Sequence, residues 1–272
     1  MTAERTDRSR DRVQSIERGI AVLRVFDGRP PQLSAGEVAA RAGLPRPVVR
    51  RILLTFEHLG YVRSDRGVWG LTPRILELGA AYFADSSLPV IARPAMEDVV
   101  QQLRETCSLG VLSGVDVIHV ARVEDHRPLP GSVRVGESLP ASATAIGKVL
   151  LAALDDDALD AALPLIDWEP HTPHTISDAA SFLDRIRLVR GRGYDISIEE
   201  LNPGMVAAAV PIIVSGTAVG AVGVSSTTVR QDEASLARDA VPLLRTAAQR
   251  IAQGYLGANP HLHRTAVAGT AG

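Results

Sequence analysis

A chain of 272 residues is long for one core and favours two domains, and 46% hydrophobic with 22% charged residues is the balance of a soluble globular protein. No apolar run approaches the roughly 20 residues that span a bilayer, the arginine-rich start lacks a secretory signal, and the single Cys107 excludes an intrachain disulfide framework, so the cytoplasm is the expected compartment. The net charge of −2 hides an asymmetry, because residues 1–74 carry 14 arginines against 8 acidic residues while the remainder holds 15 basic and 23 acidic ones. A basic front on an acidic body points to nucleic acid as a partner of the front alone, although with Lys148 as the only lysine an arginine-favouring genome also contributes to such an excess.

Residues 1–12 carry Arg5, Arg8, Arg10 and Arg12 among acidic residues with almost nothing apolar, and read as a disordered arm, either touching phosphates or inert. Ser15 is placed to cap a helix through Phe26, with Ile16, Ile20, Leu23 and, less centrally, Phe26 facing inward. Arg29-Pro30-Pro31 then breaks the chain. Ser34 followed by Glu37 is a capping box that opens a short helix, Gly43 ends it, and Pro45 suits the first turn of the next. In that next helix Val49, Ile52, Leu53, Phe56 and Leu59 share one face at helical spacing, with Pro47, Arg50, Arg51 and His58 opposite and Arg46 near the amino end. Two short helices joined by a glycine turn, the second apolar inside and basic outside, describe a helix-turn-helix. Tyr61–Ser64 and Val68–Leu71 flank Asp65-Arg66-Gly67 as a hairpin, which supplies a wing. The plainer alternative is a helical subdomain with solvated arginines, and the capped turn and hairpin in succession weigh against it.

Thr72-Pro73 offers an N-cap and first-turn proline for a helix through about Phe83, Ser86-Ser87-Leu88-Pro89 interrupts it, and a longer helix runs to about Thr106. This pair reads as a connector, either a spacer or a dimer contact that sets the separation of two DNA-binding heads. Beyond it, Leu109–Ser113 and Val117–Ala121 form a hairpin around Gly114-Val115-Asp116. Helices are expected over about 144–154 and 178–191, and strands at Tyr194–Ile198, Ala207–Val214 and Ala218–Ser225, the last two joined at Ser215-Gly216. A closing helix, Glu233–Tyr255, shows Ala237, Val241, Leu244, Ala248, Ile251 and Tyr255 along one side. The order suits a mainly antiparallel sheet with helices packed on it, an α+β sensor-type domain, followed from about Gly257 by a disordered tail.

No Gly-x-Ser-x-Gly elbow, P-loop or dinucleotide-binding glycine fingerprint is present. Cys107 reads as a buried filler rather than a nucleophile, and His171 and His174 sit in a proline-rich loop without a carboxylate or thiol at metal spacing, so neither a cofactor nor a metal is expected. His261 and His263 lie in the tail. The informative stretch of the second half is Pro140–Ala153, where small and hydroxyl residues precede a helix whose first turn has no acidic side chain. Free backbone N–H groups and the positive end of the helix dipole suit a carboxylate there, while small residues equally suit close packing on a sheet. Glu199-Glu200-Leu201-Asn202-Pro203-Gly204-Met205 is a polar loop, a pocket lid or a turn, and Ser225 either offers its hydroxyl to a ligand or caps the sheet edge.

Over residues 13–255 the chain resembles the IclR-type bacterial transcription regulators. The matching pieces are Val13–Gly19, the helix-turn-helix ending Leu59-Gly60-Tyr61-Val62, Leu71–Arg74 with Leu76–Gly79, Pro140–Leu151 with its Ala143–Lys148 core, Gly193-Tyr194, Glu199-Glu200, Gly204 and Pro211-Ile212, specific in their order and spacing. Arg50-Arg51 ahead of an apolar run looks like the branch that controls aromatic-acid and β-ketoadipate pathway genes, the protocatechuate and 4-hydroxybenzoate regulators. The resemblance implies a disordered arm (1–12), a winged helix-turn-helix domain (13–72), linker helices (73–106), a GAF-like effector-binding domain (107–256) and a disordered tail (257–272). It implies a dimer or dimer of dimers on a palindromic double-stranded operator, no membrane partner, and DNA contacts from Ser34, Arg46, Pro47, Arg50, Arg51, Arg63 and Arg66. It places a small organic acid, aromatic or dicarboxylic, against Ala145, Ile146, Ser197, Ala207, Gly223 and Ser225. Ser197 stands where some members have an acidic residue and Gly223 where some have serine, which leaves room for an effector larger than a small keto acid such as glyoxylate. The competing readings are a winged-helix sensor acting through protein partners and a hydrolase using a serine or His119, for which no nucleophile and base stand at recognisable spacing.

Overall fold

The computed structural model describes residues 12–27, 30–84, 87–127, 129, 131 and 133–261. The arm expected over 1–12, Arg12 apart, the tail beyond His261, Arg29 and Ser86 lie outside the described residues. The chain divides into two compact units, Met1–Tyr82 and Phe83–Gly272.

The first unit runs α1 (Gln14–Arg24), β1 (Leu33–Ser34), α2 (Ala35–Ala42), α3 (Arg46–His58), β2 (Val62–Asp65) and β3 (Val68–Leu71) around a core of Val22, Leu33, Val38, Val49, Leu53, Val62 and Trp69. The capping box is formed: Ser34 Oγ accepts from the Glu37 N–H at 3.3 Å and Glu37 Oε2 from the Ser34 N–H at 2.7 Å. Gly43 closes α2 at φ +62°, a left-handed conformation that glycine adopts without a Cβ penalty. Pro45 stands one place earlier than expected, as the N-cap of α3, and Pro47 takes the early helical position. Strand β1 joins the hairpin in a three-stranded antiparallel sheet, β1-β3-β2; two residues are too short to show an alternating pattern in sequence.

Helix α1 departs from expectation. Its N-cap is Val13 rather than Ser15, its buried residues are Gly19 and Val22, and Ile16 and Ile20 are exposed. The cause lies at Gly19, where a Cβ would stand 3.3 Å from the Phe56 ring. Helices α1 and α3 meet there, and beside the contact Ile16 and Ile20 wall an open groove with Val48, Ile52 and Thr55. The segment after the wing also differs. Thr72 Oγ1 accepts from the Arg74 N–H as an N-cap should, but residues 73–83 form two 3-10 stretches, Pro73–Leu78 and Ala80–Phe83, with no buried residue in either. Without an apolar face against a core, nothing offsets the cost of propagating an α-helix across Gly79.

The second unit opens with α4 (Leu88–Leu103), which ends at Arg104 in a left-handed conformation rather than reaching Thr106. Its Leu88, Ala92, Met96 and Val99 are buried in this unit's core, so α4 is a packed element and not a free connector. Then come β4 (Thr106–Ser113), β5 (Asp116–Val123), β6 (Ser138–Pro140), α5 (Ala145–Ala152), α6 (Asp156–Ala162), α7 (Ala179–Arg192), β7 (Asp195–Ile198), β8 (Met205–Val214) and β9 (Thr217–Thr227). The strands form a six-stranded antiparallel sheet, β6-β5-β4-β9-β8-β7. The chain closes with α8 (Glu233–Ser235), a π-helical turn (Leu236–Ala240) and α9 (Val241–Ala258), where one helix was expected. Pro242 explains the wide turn, because it lacks an N–H and its ring crowds the carbonyl four residues back. Helices α4 and α9 contribute to one hydrophobic cluster and α5, α6 and α7 to a second, each completed by strand residues, so the sheet is covered twice. No helix among the described residues is long and apolar enough to cross a membrane.

Candidate nucleic-acid interface and ligand cavity

On α3, Arg46, Pro47, Arg50, Arg51 and His58 are exposed, opposite the buried Val49 and Leu53. The side chains of Arg46, Arg50 and Arg51, and of Arg63 and Arg66 on the wing, make no ion pair or hydrogen bond among the described residues. Arg66 (φ +48°) and Gly67 (φ +86°) form the tip of the β2–β3 hairpin, both left-handed as a two-residue turn of this twist requires. The wing is tied to α3 by Glu57, whose Oε1 accepts from the Ser64 N–H at 3.1 Å and its hydroxyl at 2.7 Å. Arg74 is used differently from the outward arginines: it donates to the Leu59 carbonyl at 2.9 Å and packs over the Tyr61 ring. Ser34, placed among the DNA contacts, has its hydroxyl engaged in the α2 cap.

In the second unit Ala145, Ile146, Ser197, Ala207, Gly223 and Ser225 come together in the lining of one cavity of about 620 Å³, its mouth included. The start of α5 is built from close approaches. A Cβ on Gly147 would stand 2.2 Å from Ala141 backbone atoms, so only glycine lets the 3-10 turn Ala141–Ala143 lie against the helix. A Cβ on Gly110 would stand 2.7 Å from Ile146 Cγ2, and one on Gly223 would stand 3.1 Å from Ile146 Cγ1 and 2.8 Å from the Ala208 carbonyl. The space beside Gly223 is therefore taken by Ile146, and this glycine seats the helix rather than enlarging the cavity. Close packing and an open helix start coexist: Thr144 Oγ1 accepts from the Gly147 N–H at 3.0 Å, while the N–H groups of Ala145 and Ile146 have no partner among the described residues. Ser197 Oγ lies 3.5 Å from the Ala143 carbonyl, a weak contact.

The loop after β7 forms part of the wall through Glu200, Leu201 and Asn202 and is tied down. Glu199 sits at φ +54°, its Oε1 accepts from the Gly204 N–H at 2.6 Å, and Thr172 and Thr175 hydroxyls donate to the carbonyls of Glu199 and Glu200 at 2.6 Å. Behind the loop Lys148, fully buried on α5, lies 2.6 Å from Glu200 Oε1 and 3.4 Å from Asp195 Oδ2. Asp195 Oδ1 is held in turn by Arg185 at 2.7 Å and Arg192 at 3.0 Å. The sequence carries one signal of this network, unused above: a lysine inside the apolar run Ala145–Ala152, which must find an anion.

His119 also lines the cavity, and neither of its ring nitrogens has a partner among the described residues. No serine is coupled to it, so it is not half of a nucleophile–base pair. Burial, reinforced by Arg122 and opposed by Glu137, pulls its pKa down to about 4. Cys107 is buried in β4 with its thiol pushed up to about 12 by burial, an inert environment for a thiol.

These features agree with what the chain is similar to. The IclR helix-turn-helix domain matches residues 15–66, and the C-terminal domain of the bacterial transcriptional regulator IclR matches residues 80–253. The Pca regulon regulatory protein of Pseudomonas putida is 33% identical over 249 residues, 91% of this chain and 86% of that protein. A solved Rhodococcus sp. RHA1 protein is 39% identical with a TM-score of 0.77, over 91% of this chain and all of its own. The inducer-binding domain of a double mutant of the Acinetobacter transcription factor PobR, solved with 3-hydroxybenzoic acid, is 33% identical with a TM-score of 0.57, over 60% of this chain and 97% of its own. The chain belongs to the IclR family of DNA-binding bacterial transcriptional regulators.

Proposed function

We propose that this regulator is ligand-responsive, with its operator binding or output modulated by a small organic acid held in the cavity of the second unit. The observation that carries the proposal is the convergence of six candidate residues on one cavity at the open start of α5. There the unpartnered N–H groups of Ala145 and Ile146 and the helix dipole suit a carboxylate, and no acidic side chain stands in the first turn to repel it. The relative solved with 3-hydroxybenzoic acid supports an aromatic acid; a dicarboxylic acid is the other class.

Helix α3 enters the major groove with Arg46, Arg50 and Arg51 meeting bases or phosphates, Pro47 and Ser34 against the backbone, and Arg63 and Arg66 of the wing touching the flanking phosphates. Two copies, or a dimer of dimers, place their α3 helices on a palindromic operator about 34 Å apart or a multiple of it. The acid changes the output because it binds two arrangements of the dimer with different affinity, a coupling typically worth about 1–3 kcal/mol.

Operator binding measured over a salt series, with and without acid, tests both halves. Arg50→Ala and Arg51→Ala should each weaken binding by about 1–3 kcal/mol where the side chain reads a guanine, or flatten the salt dependence where it meets a phosphate. Ser225→Trp should abolish the acid response and leave DNA affinity intact. Unchanged binding curves for both arginine variants would remove α3 as the recognition helix, and a normal acid response in Ser225→Trp would remove the cavity.

A further inference from the structure

We propose, on the reading of the cavity as an effector site, that His119 reads an uncharged hydroxyl on the bound acid, so that the cavity selects a hydroxylated aromatic monocarboxylate over a dicarboxylate. The backbone of His119 is fixed on both sides: its N–H donates to the Glu137 carbonyl at 3.0 Å, and its own carbonyl accepts from the Gly136 N–H at 2.7 Å. The residue is 7% exposed, lines the cavity, and has neither ring nitrogen partnered among the described residues. A buried polar group in that condition is costly unless something completes it, and the cavity is the open side.

The ring is neutral at physiological pH, since burial and the charge of Arg122 resist its protonation more than Glu137 favours it. A neutral imidazole presents one donor and one acceptor, and a hydroxyl can serve either. A carboxylate can only accept, and it would meet a ring that supplies no positive charge. It would also share the wall with Glu200, whose Oε2 is buried and unpartnered while Lys148 engages the other oxygen. The acid's single carboxylate has the start of α5 to bind, and a second, placed at His119, would find one neutral N–H donor and no cation. Ile146, Leu139, Val206, Ala208 and Val224 give the wall apolar surface for a ring face.

Calorimetric titration of the full-length protein with 3- and 4-hydroxybenzoate, benzoate and terephthalate tests this. The better hydroxybenzoate should bind about tenfold tighter than benzoate, the equivalent of one neutral hydrogen bond, and terephthalate weaker than both. In His119→Leu the hydroxybenzoate and benzoate affinities should become equal, and His119→Gln should keep part of the preference. Ser225→Trp serves as the cavity control. If wild type binds none of these acids, or Ser225→Trp binds them normally, the effector reading fails and takes this inference with it. If Ser225→Trp abolishes binding but His119→Leu keeps the tenfold ratio, or terephthalate binds as tightly as hydroxybenzoate, the role of His119 alone is overturned. Should His119→Leu not fold, the wild-type ratio and the His119→Gln variant decide, and a ratio near one in wild type overturns the inference.

Discussion

Two sets of cations, the outward arginines of α3 and the buried group around Lys148, are treated in opposite ways by this regulator. On α3, Arg46, Arg50 and Arg51 point outward with no side-chain partner among the described residues. In the second unit Lys148 is fully buried, and Arg185 and Arg192 converge with it on Asp195. An exposed guanidinium stays hydrated and is free to exchange that water for a phosphate or a base edge. A buried ammonium is stable only because its carboxylates come with it. The difference teaches that the partner of a cation, rather than the number of cations, separates a surface that binds from a core that holds.

The largest test of that division is Lys148→Met. Removing one member of a buried pair leaves Glu200 uncompensated, while Asp195 keeps Arg185 and Arg192, so the variant should lose about 3–5 kcal/mol in urea unfolding. Replacing Glu200 by Leu in the same chain should recover part of the loss, because apolar groups of similar volume need no counter-ion. A cost below about 1 kcal/mol for Lys148→Met would mean that the ammonium finds no real compensation in the fold.

A second test uses pH on His119, a buried base without an ion pair among the described residues. The pKa of His119 falls from 6.5 unfolded to about 4 folded, so between those values the unfolded chain binds the extra proton and acid favours unfolding. Stability should therefore decline as pH drops from about 6.5 to about 4, by roughly 3 kcal/mol in total, with no further contribution from this residue below that. The capping carboxylates Glu37, Asp178 and Asp232 are held below their ordinary range by hydrogen bonds from Ser34, Ser181 and Ser235. Their contribution is present above the unfolded carboxylate range and is lost only at lower pH, so the two windows separate. Loss of the upper slope in His119→Gln identifies its source; an unchanged slope would assign it elsewhere.

Local chemistry explains which parts of this were legible in sequence. The Ser34–Glu37 box, the Gly43 stop and the Ser215-Gly216 turn each depend on a few adjacent residues, and all are formed. The inner face of α1 was not legible, because it depends on Phe56 meeting Gly19 from another helix. Likewise residues 73–83 have a capped, helix-like sequence, yet only burial decides between α and 3-10, and none of them is buried. The convergence of Ala145, Ile146, Ser197, Ala207, Gly223 and Ser225 on one cavity followed from family resemblance rather than spacing. Lys148 shows in sequence only as a lysine inside an apolar run, because Glu200, its anion, stands 52 residues away, and His119 has no local signature, since its meaning lies in the lack of a partner.

The smallest expected effect completes the comparison from the other side. Arg50→Ala with Arg51→Ala should leave unfolding stability within about 0.5 kcal/mol of wild type, as substitutions away from partnered surface features usually do. Neither guanidinium has a hydrogen bond or ion pair to lose among the described residues, and the α3 packing rests on Val49 and Leu53 and on the Glu57–Ser64 bonds, none of which the change touches. Alanine is also the better helix former, which can only add a few tenths in its favour. The same double variant must weaken operator binding steeply, so its value lies in the dissociation of the two measurements. A loss of stability comparable to that of Lys148→Met would show that the outward arginines are held by the fold after all, and the boundary between gripping and holding cations would then fall elsewhere in the chain.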